Sequence, residues 1–241
     1  LLYKMDSRGP EQRTSDEVPV EPEQSGRWGD GGTGRHRQGG FHPTASGQDA
    51  VEMFANRLQK NVRHFGRWAR RQDVDCYRVY DADLPDFPFA VDVYAGDEAR
   101  FAHVQVYERD DREPSDLEDA LAVTQTVLEI PSGDVILKTR KRQRGDAQYE
   151  RVSRDGDEVI VNESPAKFYV NPTDFLDTGL FLDNRTVRAR IRERAEGARF
   201  LNLFGYTGTA TVHAALGGAV ATTTVDLSTT YLDRARKNLT L

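Results

Sequence analysis

Two glycines and an aspartate stand where a nucleotide could be held. Residues 199–228, RFLNLFGYTGTATVHAALGGAVATTTVDLS, read as a buried strand, a glycine turn, a helix of small residues opening at Thr209 or Ala210, a second strand and a terminal acid. Strand, tight turn, helix and strand predict a right-handed crossover with a ligand at the carboxyl ends of the strands. Asp226 ends the second strand about 20 residues after the turn, where its carboxylate can accept hydrogen bonds from ribose hydroxyls. A dinucleotide site presses a pyrophosphate against a helix N-terminus and needs G-x-G-x-x-G for that approach. Here Tyr206 and Thr207 separate Gly205 from Gly208, and position 210 is alanine. S-adenosylmethionine has no pyrophosphate. Its zwitterionic tail needs a close backbone turn rather than an anion cradle, and Asn202 and Phe204 at the strand end suit that lining. The spacing favours this methyl donor over NAD, and a crossover that holds no ligand is the remaining reading.

A second chemistry lies in KTRKRQRGDAQYER. Lys138, Arg140, Lys141, Arg142 and Arg144 crowd beside a glycine turn. Like charges packed together repel, so an anion stabilises such a loop, and phosphate contacts by Arg and Lys supply sequence-independent affinity for nucleic acid. A solvated loop is the alternative. Cys76, the one cysteine, excludes an intramolecular disulfide and a cysteine metal cluster, and as a strand residue it reads as packing rather than as a nucleophile. The five histidines show no metal-ligand spacing, and His213 in the glycine-turn helix reads as a packing residue.

The elements that must position these residues are legible in outline. In QDAVEMFANRLQKNVRHFGRWARRQDVD, Val51, Phe54, Leu58, Val62, Phe65 and Ala69 recur on one helical face, and Lys60, Arg63, Arg67, Arg70 and Arg71 occupy the other. That basic face is either solvated or a phosphate contact. CYRVYD alternates, with Cys76, Arg78 and Tyr80 on one side. FAVDVYAGDEARFAHVQVYE predicts a hairpin, Asp116 a cap for a helix ending before Pro131, and DVILKTR a strand. EVIVNESPAKFYV gives two more strands. A helix beginning near 179–183 carries Val187 and Ile191 on one face. Residues 1–48, rich in glycine and charge, bury almost nothing and predict a disordered linker, with an RNA-touching arm as the alternative.

The net charge of −6 argues against a polyanion partner only on average, because the basic residues are clustered. No apolar run approaches the length of a membrane span. The amino terminus lacks a signal-peptide pattern. The single cysteine suits a reducing cytoplasm. The start LLYK and the end RKNLTL suggest a piece of a longer polypeptide.

At NPTDFLDTGLFLDNR, FLNLFGYTGTATVHAALGGA and TTTVDLSTTYLDRARKNL the sequence resembles the C-terminal methyltransferase half of the bacterial bifunctional 23S rRNA guanine methyltransferases, the RlmKL family. FANRLQKNVRHFGRWARRQDVDCYRVYDADLPDF resembles the start of that half, and LKTRKRQRGDAQYER its basic loop. The likeness runs from about 48 to 241.

The resemblance implies an α/β fold: a Rossmann-like methyltransferase core, incomplete here, beginning at 166 and preceded by a smaller α+β domain over 49–165. It implies methyl transfer from S-adenosylmethionine to N-7 of a guanine in 23S rRNA, with an N-2-methylating half before residue 1. The family's Q-A-D turn for the adenine and D-P-P loop beside the target base are not in this chain. Carried over, Asn202, Phe204, Gly205, Tyr206, Thr207 and Gly208 border the donor and Asp226 holds its ribose. Phe181, Asp183 and Arg185 close over its amino-acid tail, and Arg185 can pair bidentately with the tail's carboxylate. N-7 has a lone pair and no proton to lose, so no general base is required, and the isolated piece is expected to be inactive. A 5-methylcytosine rRNA methyltransferase, with its cysteine downstream, and a non-catalytic RNA-binding fragment are the competing readings.

Overall fold

The computed structural model describes residues 3–6, 47–107, 117–140, 158–173 and 177–241. The amphipathic pattern becomes helix α1, Gly47–Gln72, with Phe54 and Leu58 fully buried and all five basic residues of the opposite face exposed. Strands β2 (Tyr77–Asp81), β3 (Phe89–Ala95), β4 (Arg100–Tyr107) and β5 (Val135–Arg140) form one sheet in that order. β2 to β4 are antiparallel. β5 returns parallel to β4 through helix α2, Leu117–Leu128. Asp116, the expected cap of α2, lies outside the described residues.

α1 and α2 cover one face of this sheet. Phe54 sits among Tyr80, Phe87 and Phe89, with ring centroids 4.9–5.3 Å away. Each such side chain, fully buried, contributes about 1.5–3 kcal/mol. The alternation expected for β2 breaks at a bulge between Arg78 and Tyr80. Cys76 and Arg78 keep one side, but Tyr80 joins Val79 in the α-side core. An extra residue in one strand reverses the facing of those that follow.

Strands β6 (Val159–Glu163) and β7 (Ala166–Val170) form a separate hairpin. It packs on Cys76, Tyr94 and Phe101 of the larger sheet and on Leu180 and Val212. A boundary between 165 and 166 would cut the turn of this hairpin, so residues 159–170 stay together. Helix α3, Arg185–Arg194, then precedes the crossover: β8 (Arg199–Leu203), α4 (Thr209–Leu216), β9 (Ala221–Val225) and α5 (Thr229–Asn238). β8 and β9 are parallel and in register, Arg199 opposite Ala221 and Leu203 opposite Val225.

Three expectations change here. Val187, read as apolar-face, is 54% exposed, while Arg188 is buried. β8, read as buried, leaves Leu201 and Leu203 each 57% exposed. Within the stretch read as linker, Tyr3–Asp6 form strand β1, antiparallel to β9. An edge strand offers unpaired N–H and C=O groups that an extended segment can take up. The rest of that stretch before Gly47 lies outside the described residues.

Candidate active site

The turn between β8 and α4 sits at the carboxyl ends of the parallel pair. Phe204, Tyr206 and Gly208 have left-handed φ values of 57°, 50° and 73°. For residues with a β-carbon this backbone costs about 1–3 kcal/mol each, and it persists only where surroundings enforce it. The enforcement is visible. Gly205 N donates to Val225 O (2.9 Å) and Gly208 N to Gly205 O (2.8 Å). Tyr206 N donates to Asp226 Oδ2 (2.8 Å), and Ser228 N to Asp226 Oδ1 (2.9 Å). Thr207, fully buried, donates from Oγ1 to Gly179 O (2.6 Å) and accepts at its carbonyl from Asn238 Nδ2 (2.8 Å). The glycines are required by packing against the protein itself. A β-carbon on Gly205 would lie 2.3 Å from Thr224 Cγ2, and one on Gly208 2.7 Å from Ala235 Cβ.

The residues expected around a donor separate into two groups. Phe204 is 84% exposed at the mouth of the turn, and Leu227 beyond Asp226 is 98% exposed. Phe181 packs its ring on Tyr206 (5.1 Å), and Tyr206 lies edge-on to Tyr231 (4.5 Å). The Tyr206 hydroxyl is buried, which pushes its pKa up. Asp183 is exposed on a short 3-10 turn, Leu182–Asn184. Asn202 instead supports the fold: its Nδ2 donates to Thr211 Oγ1 (3.0 Å), which contacts Thr224 Oγ1 (2.7 Å).

Arg185 also departs from expectation. Its guanidinium stacks 4.8 Å from the Trp68 ring and donates to Cys76 O (3.5 Å), so these partners lie in the α+β unit and not in the glycine turn. Burial lowers its pKa, the nearby Glu163 opposing. Lys138 donates to Thr173 O, so this ammonium is already engaged by the protein. The side chain of Arg140, and Lys141, Arg142 and Arg144, lie outside the described residues.

Helix α5 supplies residues that sequence reasoning missed. Arg234 Nη2 donates to Thr178 O (3.0 Å), and a β-carbon on Gly179 (φ 106°) would lie 2.4 Å from that nitrogen. Asn238 bridges Thr207 O and Tyr169 N. Tyr231, Leu232, Arg234, Ala235 and Asn238 are the buried residues of α5. Two polar residues on the buried stripe of a helix are the signal that could have found them. A buried ionic group, also unforeseen, ties the elements behind the site. Arg188 donates from Nε and Nη2 to the two Glu163 oxygens (2.6 and 2.5 Å), and His213 Nε2 is 3.1 Å from Glu163 Oε1.

This geometry suits S-adenosylmethionine. Each Asp226 oxygen accepts one backbone N–H and keeps acceptor capacity for ribose hydroxyls. Phe204 and Leu227 offer apolar surface beside that carboxylate, and Phe181 closes on Tyr206. Among the described residues, no three His, Cys, Asp or Glu are grouped to hold a metal. No described helix is long and apolar enough to cross a membrane.

Residues 116–241, just over half of the chain, match the S-adenosylmethionine-dependent methyltransferase family, and the chain belongs to it. The chain is also 54% identical over 198 residues to a Pseudomonas putida ribosomal RNA large subunit methyltransferase K/L, covering 80% of this chain and 27% of that protein. The protein of that name from Methylococcus capsulatus is 53% identical over 195 residues, covering 79% and 26%. The chain thus spans about a quarter of the length of these curated relatives. Among solved structures, a provisionally assigned SAM-dependent methyltransferase from Streptococcus mutans superposes with a TM-score of 0.62 at 26% identity, covering 79% of this chain and 48% of that one. A provisionally assigned methyltransferase in complex with SAH gives the same values.

Proposed function

We propose that this chain carries the donor site and part of the RNA-facing surface of a methyltransferase acting on large-subunit (23S) ribosomal RNA, with guanine N-7 as the acceptor atom, in the cytoplasm. The observation that carries this reading is the strained turn Phe204–Gly208, pinned to Asp226 at the carboxyl ends of β8 and β9. The rRNA substrate rests on the likeness to the K/L methyltransferases, and the N-7 atom on the family resemblance of the sequence.

S-adenosylmethionine, when bound, supplies an electrophilic methyl group on a sulfonium sulfur. The work left to the protein is positioning. Asp226 would accept from the donor's ribose, the turn backbone would fix its depth, and Phe181 on Tyr206 would screen it from water. Holding reactants in line at near-attack distance supplies a large share of such a barrier. Guanine N-7 attacks with its own lone pair, so no side chain must take a proton. Cys76 suits no covalent route: burial pushes its thiol up to about 12, and it is 2% exposed. The exposed basic face of α1 supplies cationic surface for phosphates, and the sequence adds the positive charges of Lys141, Arg142 and Arg144.

The test is methyl transfer in vitro by the full polypeptide to 23S rRNA lacking the modification, followed by borohydride–aniline scission, which cuts at 7-methylguanine. Scission at one guanine is expected. Methyl incorporation without scission would contradict the N-7 assignment.

A further inference from the structure

The face of the β2–β5 sheet turned away from α1 and α2 has two characters. One end is aromatic: Tyr94 and Phe101 stack 4.9 Å apart and pack on the β6–β7 hairpin. The other end is ionic. Arg78 forks from Nε and Nη2 onto Asp92 (2.7 and 3.1 Å), and Gln105 Nε2 donates to Asp92 Oδ2 (3.0 Å). The third nitrogen of Arg78, Nη1, reaches Asp81 Oδ2 (3.2 Å) and the Tyr107 hydroxyl (3.1 Å), and Tyr107 donates to Asp81 Oδ1 (2.7 Å). The Asp92 side chain is 4% exposed, but those of Arg78 and Asp81 are 38% and 54% exposed.

A buried ion pair is a poor stabiliser, since apolar residues of the same volume do as well or better. What the Asp92 fork achieves is to fix the outer edge of Arg78 and the Asp81 carboxylate in place. They face a cleft of about 780 Å³, room for a whole nucleotide. Phe65 and Trp68 from the end of α1, with the Arg185 guanidinium over the Trp68 ring, and Tyr77 line one side of that cleft, and Gly179 to Leu182 line another. Phe181 on that second side touches Tyr206 of the donor turn, so the cleft adjoins the donor site there.

We propose that this cleft takes the acceptor nucleobase, a guanine turned out of its RNA strand. Asp81 accepts from N1–H and the 2-amino group, Arg78 donates to O6, and the aromatic side of the cleft packs on the ring. Unstacked bases are read in this way, by stacking and by hydrogen bonds along the Watson–Crick edge. Reading that edge leaves N-7, on the opposite edge, free to face the donor turn. Adenine would present a lone pair at N1 to the Asp81 carboxylate and is rejected. This assignment rests on the reading of the chain as a guanine methyltransferase.

The test is fluorescence anisotropy with the full polypeptide, SAH present. The probes are two labelled oligoribonucleotides that differ only in guanosine or inosine at the target position; inosine lacks the 2-amino group. Wild-type protein is expected to bind the guanosine probe roughly tenfold more tightly. In Asp81→Ala the two probes should bind alike. Equal affinities in the wild type, or a preference that survives in the variant, overturn the pocket. The wild-type comparison needs no variant to fold. Because binding is read and not turnover, protein that selects guanosine but leaves N-7 unmethylated keeps the pocket and loses only the functional reading above.

Discussion

Phe204 and Tyr206 hold left-handed backbone angles that a β-carbon disfavours. For Tyr206 the environment explains it: a backbone hydrogen bond to Asp226 and two ring contacts lock the residue. Phe204 has no such packing, being 84% exposed. Strain of this kind, with no packing beside it, clusters at ligand-binding turns. Replacing Phe204 by Gly should therefore leave stability unchanged or raise it by up to about 1 kcal/mol, since left-handed strain of 1–2 kcal/mol is relieved against glycine's entropic cost. SAH affinity should fall. Urea midpoints and calorimetric titration measure the two effects, and a stability loss above about 1 kcal/mol would make Phe204 a packing residue. At this scale the position of the turn between β8 and α4, and of Asp226 just beyond β9, was legible in the sequence. The sequence could not show that Asn202 turns inward to Thr211 or that Arg185 stacks on Trp68, because a side chain's partner is set by elements far away in sequence.

Glu163 on β6, Arg188 on α3 and His213 on α4 hold three elements together behind the site. Burial pushes the Glu163 carboxyl up, but the Arg188 guanidinium forked onto it, with His213 beside it, outweighs burial, and the net shift is downward from 4.5. A depressed carboxyl stabilises the fold above its unfolded pKa and loses that contribution as pH falls through its folded value. Glu163→Gln leaves Arg188 buried beside a neutral partner and should cost roughly 3 kcal/mol at pH 7. The gap between wild type and variant should begin to narrow as pH falls below about 4.5, where the unfolded carboxyl takes up its proton, and should close only as pH passes the lower folded value, where the native residue becomes neutral too. Urea melts across pH check this, and a gap that stays constant would show that the pair carries no charge-dependent stability. Periodicity could not reveal this group. A helix whose buried position is Arg188 and whose Val187 is exposed inverts the pattern that marks a buried face, and the reason lies 25 residues upstream in Glu163. The amphipathic α1, by contrast, was legible because Phe54, Leu58 and Ala69 bury on one face and its charges do not.

At the scale of the molecule, the hairpin β6–β7 joins the α+β unit to the crossover, and the Gly179 to Arg185 segment lines the acceptor cleft and touches the donor turn through Phe181. The alternation of strands and helices announced the two kinds of sheet. The parallel return of β5 onto β4 and the pairing of Tyr3–Asp6 with β9 were not legible, since strand neighbours depend on which edges meet in space. All parts of this arrangement converge on one claim, that the carboxyl ends of β8 and β9 hold S-adenosylmethionine through Asp226. Calorimetric titration of SAH into the full polypeptide, wild type and Asp226→Ala, tests it most directly. The wild type should show a saturable site at this turn, and the variant, losing the ribose contacts and leaving Tyr206 N–H unpaired, should fill that site at least about tenfold more weakly while any other SAH site is unchanged. Equal affinity in the two proteins would contradict the claim.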